Sequence, residues 1–223
     1  MKLVSYEFGQ VLQLVRMEEV RPISGVYLPD LFRAISERYR FVDGPSGTEQ
    51  ELVGSFKFAN GVLERNGQTI AVSSLGVYSD GILVVCRKTD DADLVVDDFI
   101  SWLRGIIPLR EPTTEVTRRH TSHVVVTFDA PIECFIERFN AISHIYQEAL
   151  EMDQHVKIRA RLQRISFSAD PLDGLSLQQT SFSLEPRSGV PFTENRYFST
   201  APMASAAHLR LLSNIDTLIG ARA

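Results

Sequence analysis

One order of elements, strand, helix, three strands, helix, can be read twice along this chain, once on each side of a polar linker near residue 112. Alternation of apolar residues marks the strands and a 3.6-residue apolar stripe marks the helices. The reading predicts an α+β fold of two βαβββα-like halves, with antiparallel sheets and helices packed on one side. The expected lobes are residues 1–111 and 112–223, either separate or joined in one continuous domain.

In the first half, Val4, Tyr6 and Phe8 alternate with Ser5 and Glu7 as in a half-buried strand. Beyond Gly9, the residues Val11, Leu12, Leu14 and Val15 fit either a bulged continuation or a helical turn. Pro29 suits the first turn of a helix carrying Leu28, Leu31, Phe32, Ile35 and Tyr39. A meander follows, punctuated by Asn60-Gly61, Asn66-Gly67 and Asp80-Gly81, dipeptides that tolerate the positive φ of tight turns. The continuously apolar stretch 81–86 predicts a central strand covered on both faces. Thr89 is placed to cap a helix with inner stripe Val95, Phe99, Trp102, Leu103 and Ile106.

The second half opens with a strand over 123–128. A long helix follows to about Glu151, its stripe formed by Ile132, Phe135, Ile136, Phe139, Ile142, Tyr146 and Leu150. Residues 156–167 alternate with one phase slip, which predicts a bulged strand. Strands are expected over 175–184 and 196–199, and Pro202 is expected to begin a closing helix with stripe Leu209, Leu212, Ile215 and Ile219.

At 223 residues and 44% hydrophobic, the chain can bury roughly 70% of its unfolded surface, so it needs neither metal nor disulfide to fold. Its formal net charge of -5, from 23 Lys and Arg against 28 Asp and Glu, argues against a protein that coats nucleic acid or anionic membrane. Cys86 and Cys134 sit in apolar runs and read as reduced thiols of a cytoplasmic protein. No signal-peptide pattern opens the chain, and no apolar run approaches the ~18 residues of a membrane span. No cofactor is expected.

Candidate chemistry is sparse. Asp90, Asp91 and Asp93 could offer hard oxygen ligands to Mg²⁺ or Ca²⁺. The competing account is that carboxylates at a helix start offset its macrodipole. Lys157, Arg159 and Arg161, joined by Arg164, form a basic row spaced about 7 Å apart along a strand, close to a nucleic-acid phosphate repeat. A charged strand face is equally a guard against unwanted pairing. The five histidines, His120, His123, His144, His155 and His208, lack zinc spacing, and no hydrolase elbow, phosphate loop or dinucleotide motif is present.

The leading expectation is therefore a noncatalytic assembly or adaptor protein acting through protein–protein contact, as a homo-oligomer or as a subunit of a larger complex. The alternative is nucleic-acid or nucleotide binding on the Lys157, Arg159 and Arg161 face. A third reading is a hydrolase or transferase drawing on Cys134, a histidine and the Asp90 cluster.

Overall fold

A computed structural model describes residues 1–20, 25–45, 55–65, 67–130, 132, 137–154, 163–168 and 181–220. Among these, the strands are β1 (Lys2–Leu14), β2 (Phe56–Arg65), β3 (Gln68–Tyr78), β4 (Gly81–Cys86), β5 (Thr117–Thr127), β6 (Ile165–Phe167), β7 (Phe182–Pro186) and β8 (Arg196–Ala201). The helices are α1 (Met17–Val20), α2 (Leu28–Tyr39), α3 (Thr89–Ile106), α4 (Glu137–Gln154) and α5 (Ser205–Gly220). The fold is α+β, and its sheet is antiparallel with strand order β2-β3-β4-β1-β5-β8-β7-β6. The expected order of elements occurs on both sides of the linker, with α1 added in the first half. Descent of one half from the other does not follow from a shared order.

The chain forms two compact units built from separated segments. One comprises Glu7–Ser122 and Met203–Ser205; the other comprises Met1–Tyr6, His123–Pro202 and Ala206–Ala223. The linker residues 107–116 lie inside the first of these. There the Thr113 and Thr114 amides and hydroxyls all donate to Glu19 Oε2, at 2.9–3.0 Å. Led by the Thr114 amide, these donors hold the Glu19 carboxyl below its ordinary pKa.

In the Glu7–Ser122 unit, α2 and α3 share one apolar core with β2, β3 and β4. Phe32, Ile35 and Tyr39 of α2 meet Val95, Phe99 and Leu103 of α3 over Phe58, Leu75 and Val84. Ile106, expected on the inner stripe of α3, is 49% exposed. Strand β1 settles the ambiguity beyond Gly9 by continuing to Leu14, with Gly9, Val11 and Gln13 buried. Only glycine fits at position 9, because a Cβ there would lie 2.2 Å from Thr89 N and 2.3 Å from the Lys88 carbonyl carbon.

Asn60-Gly61 does not make a turn. Both residues lie inside β2, whose pairing with β3 keeps a constant register through Ala59↔Ser74 and Gly61↔Val72. Asn60 takes φ 58° there, and its side-chain amide donates to Asp43 Oδ2 at 2.7 Å. A Cβ at position 61 would sit 2.4 Å from the Phe41 ring. A dipeptide tolerant of positive φ here kinks a strand so that the chain leaving α2 can dock on it. The bulge between Val72 and Ser74 similarly shifts the buried phase of β3 from Ile70 and Val72 to Leu75 and Val77. β4 lies between β3 and β1 as expected; Ile82, Val84 and Cys86 are buried, whereas Leu83 and Val85 are half-buried.

β5 starts at Thr117, six residues before the expected strand, so Arg118, His120 and Ser122 are strand residues. Their polar character disguised the strand, because each takes a partner in the fold. In the second unit, Phe182 and Leu184 of β7 point inward, and Phe128 packs on Tyr197 with ring centroids 5.4 Å apart. Helix α5 begins at Ser205, three residues after Pro202, and buries His208, Leu212 and Ile219. The expected turn at Asp170–Gly174 and most of the strands expected over 156–167 and 175–184 lie outside the described residues.

Candidate interaction surface

Helix α4 carries the largest departure from the sequence reading. Its apolar residues recur at helical spacing, yet none of the described positions 142–153 is buried. Ile142 is 58% exposed, Ile145 67%, Tyr146 58% and Met152 72%. Together with exposed Ala149 these stand at i, i+3, i+4, i+7 and i+10, which is one face of a helix. The half-buried positions are Ser143, Gln147, Leu150 and Glu151, on the opposite side. Ile142 and Tyr146, expected in the core, are thus on the outward face, and the helix turns its more polar side inward.

The charge on this helix is one-sided as well. Glu148, Glu151 and Asp153 cluster in its C-terminal half, and no Lys or Arg occurs between residues 139 and 154. Glu151 accepts a 3.0 Å hydrogen bond from the Gln147 side-chain amide, while Glu148 and Asp153 are exposed. Monomeric domains rarely expose contiguous apolar patches larger than a few hundred Å², and the largest such patch is often functional.

The residues singled out in the sequence have other settings. Asp90 is exposed, and Asp91 reaches Lys88 at 3.7 Å. Asp93 receives Arg118 at 3.0 Å and His120 Nε2 at 2.9 Å, and Arg118 also reaches Asp97 at 2.7 Å and Gln13 at 2.7 Å. Partial burial works against the Arg118 charge, but Asp97 and Asp93 outweigh it and hold the guanidinium above its ordinary pKa. Asp98 accepts both Arg38 and the Tyr39 hydroxyl, the latter at 2.7 Å. Among the described residues, no three His, Cys, Asp or Glu side chains are placed to hold one metal ion.

Of the basic row, Arg164 forms an ion pair with Glu185 at 3.2 Å. Lys157, Arg159 and Arg161 lie outside the described residues, as does Cys134. Cys86 is fully buried, and desolvation pushes its thiol up to about 12, so it is an inert core residue.

Two polar clusters escaped the sequence reading. One joins the Thr89, Ser122 and Ser205 hydroxyls, with Ser205 Oγ 3.1 Å from Thr89 Oγ1 and 3.3 Å from Ser122 Oγ. The other pairs Ser199 Oγ with His208 Nε2 at 2.9 Å. Ser199 has one proton, and its oxygen also lies 2.8 Å from the Ser183 carbonyl, which can only accept. The serine therefore donates to that carbonyl and accepts from the Nε2–H tautomer of His208, so the imidazole does not draw off its proton as a catalytic base would. His208 Nδ1 is left buried without a partner. Ser199 and His208 are both 0% exposed, which closes the pair to any substrate. The available signal was positional, since Ser205 and His208 precede Leu212 at the spacing of a buried helical stripe.

Comparison with protein-family models and with curated proteins finds no match to this chain.

Proposed function

We propose that this chain is an assembly protein that works by contact with another protein chain, and that the outward face of α4 is the contact. The observation that carries this reading is the set Ile142, Ile145, Tyr146 and Met152, all more than half exposed on one side of a helix. Most helical stability in proteins comes from packing an apolar face. A helix that turns such a face to solvent gains stability when a second surface covers it. The buried Ser199–His208 pair favours the same reading, because the shortest hydroxyl–imidazole contact among the described residues is sealed in the core.

The test is thiol labelling of Ile145→Cys in a Cys134→Ser background at high dilution. Labelling at the rate of an open thiol is expected. A rate as slow as that of buried Cys86 would show that the chain covers this face by itself and would remove the proposal.

A further inference from the structure

Building on that reading, we infer that the partner is a second copy of this chain, its α4 packed antiparallel against the first. The outward residues 142–152 span about 15 Å of helix. With four large side chains 58–72% exposed, they present on the order of 500 Å² per copy. Two copies would bury about 1,000 Å², the lower end of specific interfaces, which corresponds to a reversible dimer rather than a permanent one.

Charge selects the direction. Glu148 and Asp153, both exposed, lie toward the C-terminal end, and the stretch 139–154 contains no Lys or Arg. A parallel pair would place the exposed Glu148 and Asp153 of both copies, four carboxylates, side by side, repelling one another and crowding the negative ends of both macrodipoles. Reversing one helix puts the two Asp153 carboxylates at opposite ends of the contact and removes that crowding.

The apolar row tolerates that reversal. With the two-fold axis near residue 147, Ile142 faces Met152 and Ile145 faces Ala149, so one patch serves both copies as an isologous contact requires. Ala149 between Ile145 and Met152 provides the low point that lets two helices approach closely.

Light scattering on the full chain across the micromolar range should show a concentration-dependent mass rising toward twice 25.1 kDa. Ile145→Asp should raise the dissociation constant on the order of 100-fold or more, because it buries an unpaired charge at the centre of the contact. Circular dichroism should show the variant still folded. Direction is read by oxidising a mixture of Ile142→Cys and Met152→Cys chains in the Cys134→Ser background. Mixed 142–152 disulfides should predominate.

A wild-type chain that stays monomeric at high micromolar concentration overturns the inference. So does a dimer indifferent to Ile145→Asp, or a predominance of 142–142 and 152–152 disulfides. None of these results requires the α4 face to be covered within its own chain, so the labelling experiment above judges the broader proposal separately.

Discussion

Thr89 and Ser205 cap each other. The Thr89 amide donates to Ser205 Oγ at 3.1 Å, and the Ser205 amide donates to Thr89 Oγ1 at 2.8 Å, although the residues are 116 positions apart. Each is the first residue of its helix, so each hydroxyl satisfies an amide that the other helix leaves open. Both side chains are essentially inaccessible, so no water can take over from a deleted partner. Ser205→Ala should cost about 1–3 kcal/mol in urea unfolding, and Thr89→Val a comparable amount. The double variant should lose less than the sum, because each single change already breaks the exchange. Strict additivity would mean that the two hydroxyls act independently.

Gly9→Ala should be among the most damaging single-methyl changes in the chain. Its Cβ would meet the Thr89 amide nitrogen at 2.2 Å, and backbone at the start of α3 cannot rotate out of the way as a side chain can. The cost should exceed the 1–3 kcal/mol typical of overpacking. Gly105→Ala is the control, since nothing lies within 4 Å of its Cβ position in α3. It should stabilise by about 0.4–1 kcal/mol. Equal melting temperatures for the two variants would contradict the close approach of β1 to α3.

Acid should unfold this protein partly through His208. Burial lowers its pKa from 6.5 to about 4, with a smaller contribution from His123. Between these values the unfolded chain binds the proton and the folded chain does not, so stability rises with pH across the window and is lost as pH falls from 6.5 toward 4. The contribution is on the order of 3 kcal/mol. His208→Asn should flatten the pH dependence of the urea midpoint across that interval. A variant whose acid limb matches the wild type would place the sensitivity elsewhere.

The elements most legible in the sequence were those whose apolar residues face their own core. The α2 stripe of Phe32, Ile35 and Tyr39 is buried as its spacing implied, and Pro29 stands in the first turn. Polar strands were harder to see. Arg118, His120 and Ser122 resemble linker composition until Asp93, Gln13 and Ser205 are brought beside them. Asn60-Gly61 reads as a turn because positive φ is common to tight turns and to kinks within strands. The unbroken pairing register with β3 and the Phe41 ring lying against Gly61 distinguish the two.

The candidate surface was legible as a pattern and misread as a location. Ile142 and Tyr146 were recognised as one stripe of a long helix, while the orientation of that stripe is a property of its surroundings. Period and composition are local, so residue order alone determined the α+β class, the antiparallel meander and the helical character of α2, α3 and α4. Which side of α4 meets solvent, which hydroxyl caps α3 and which serine holds His208 depend on residues far apart in the chain. Those were decided only by tertiary structure, because a helix can be amphipathic before anything determines what covers its apolar side.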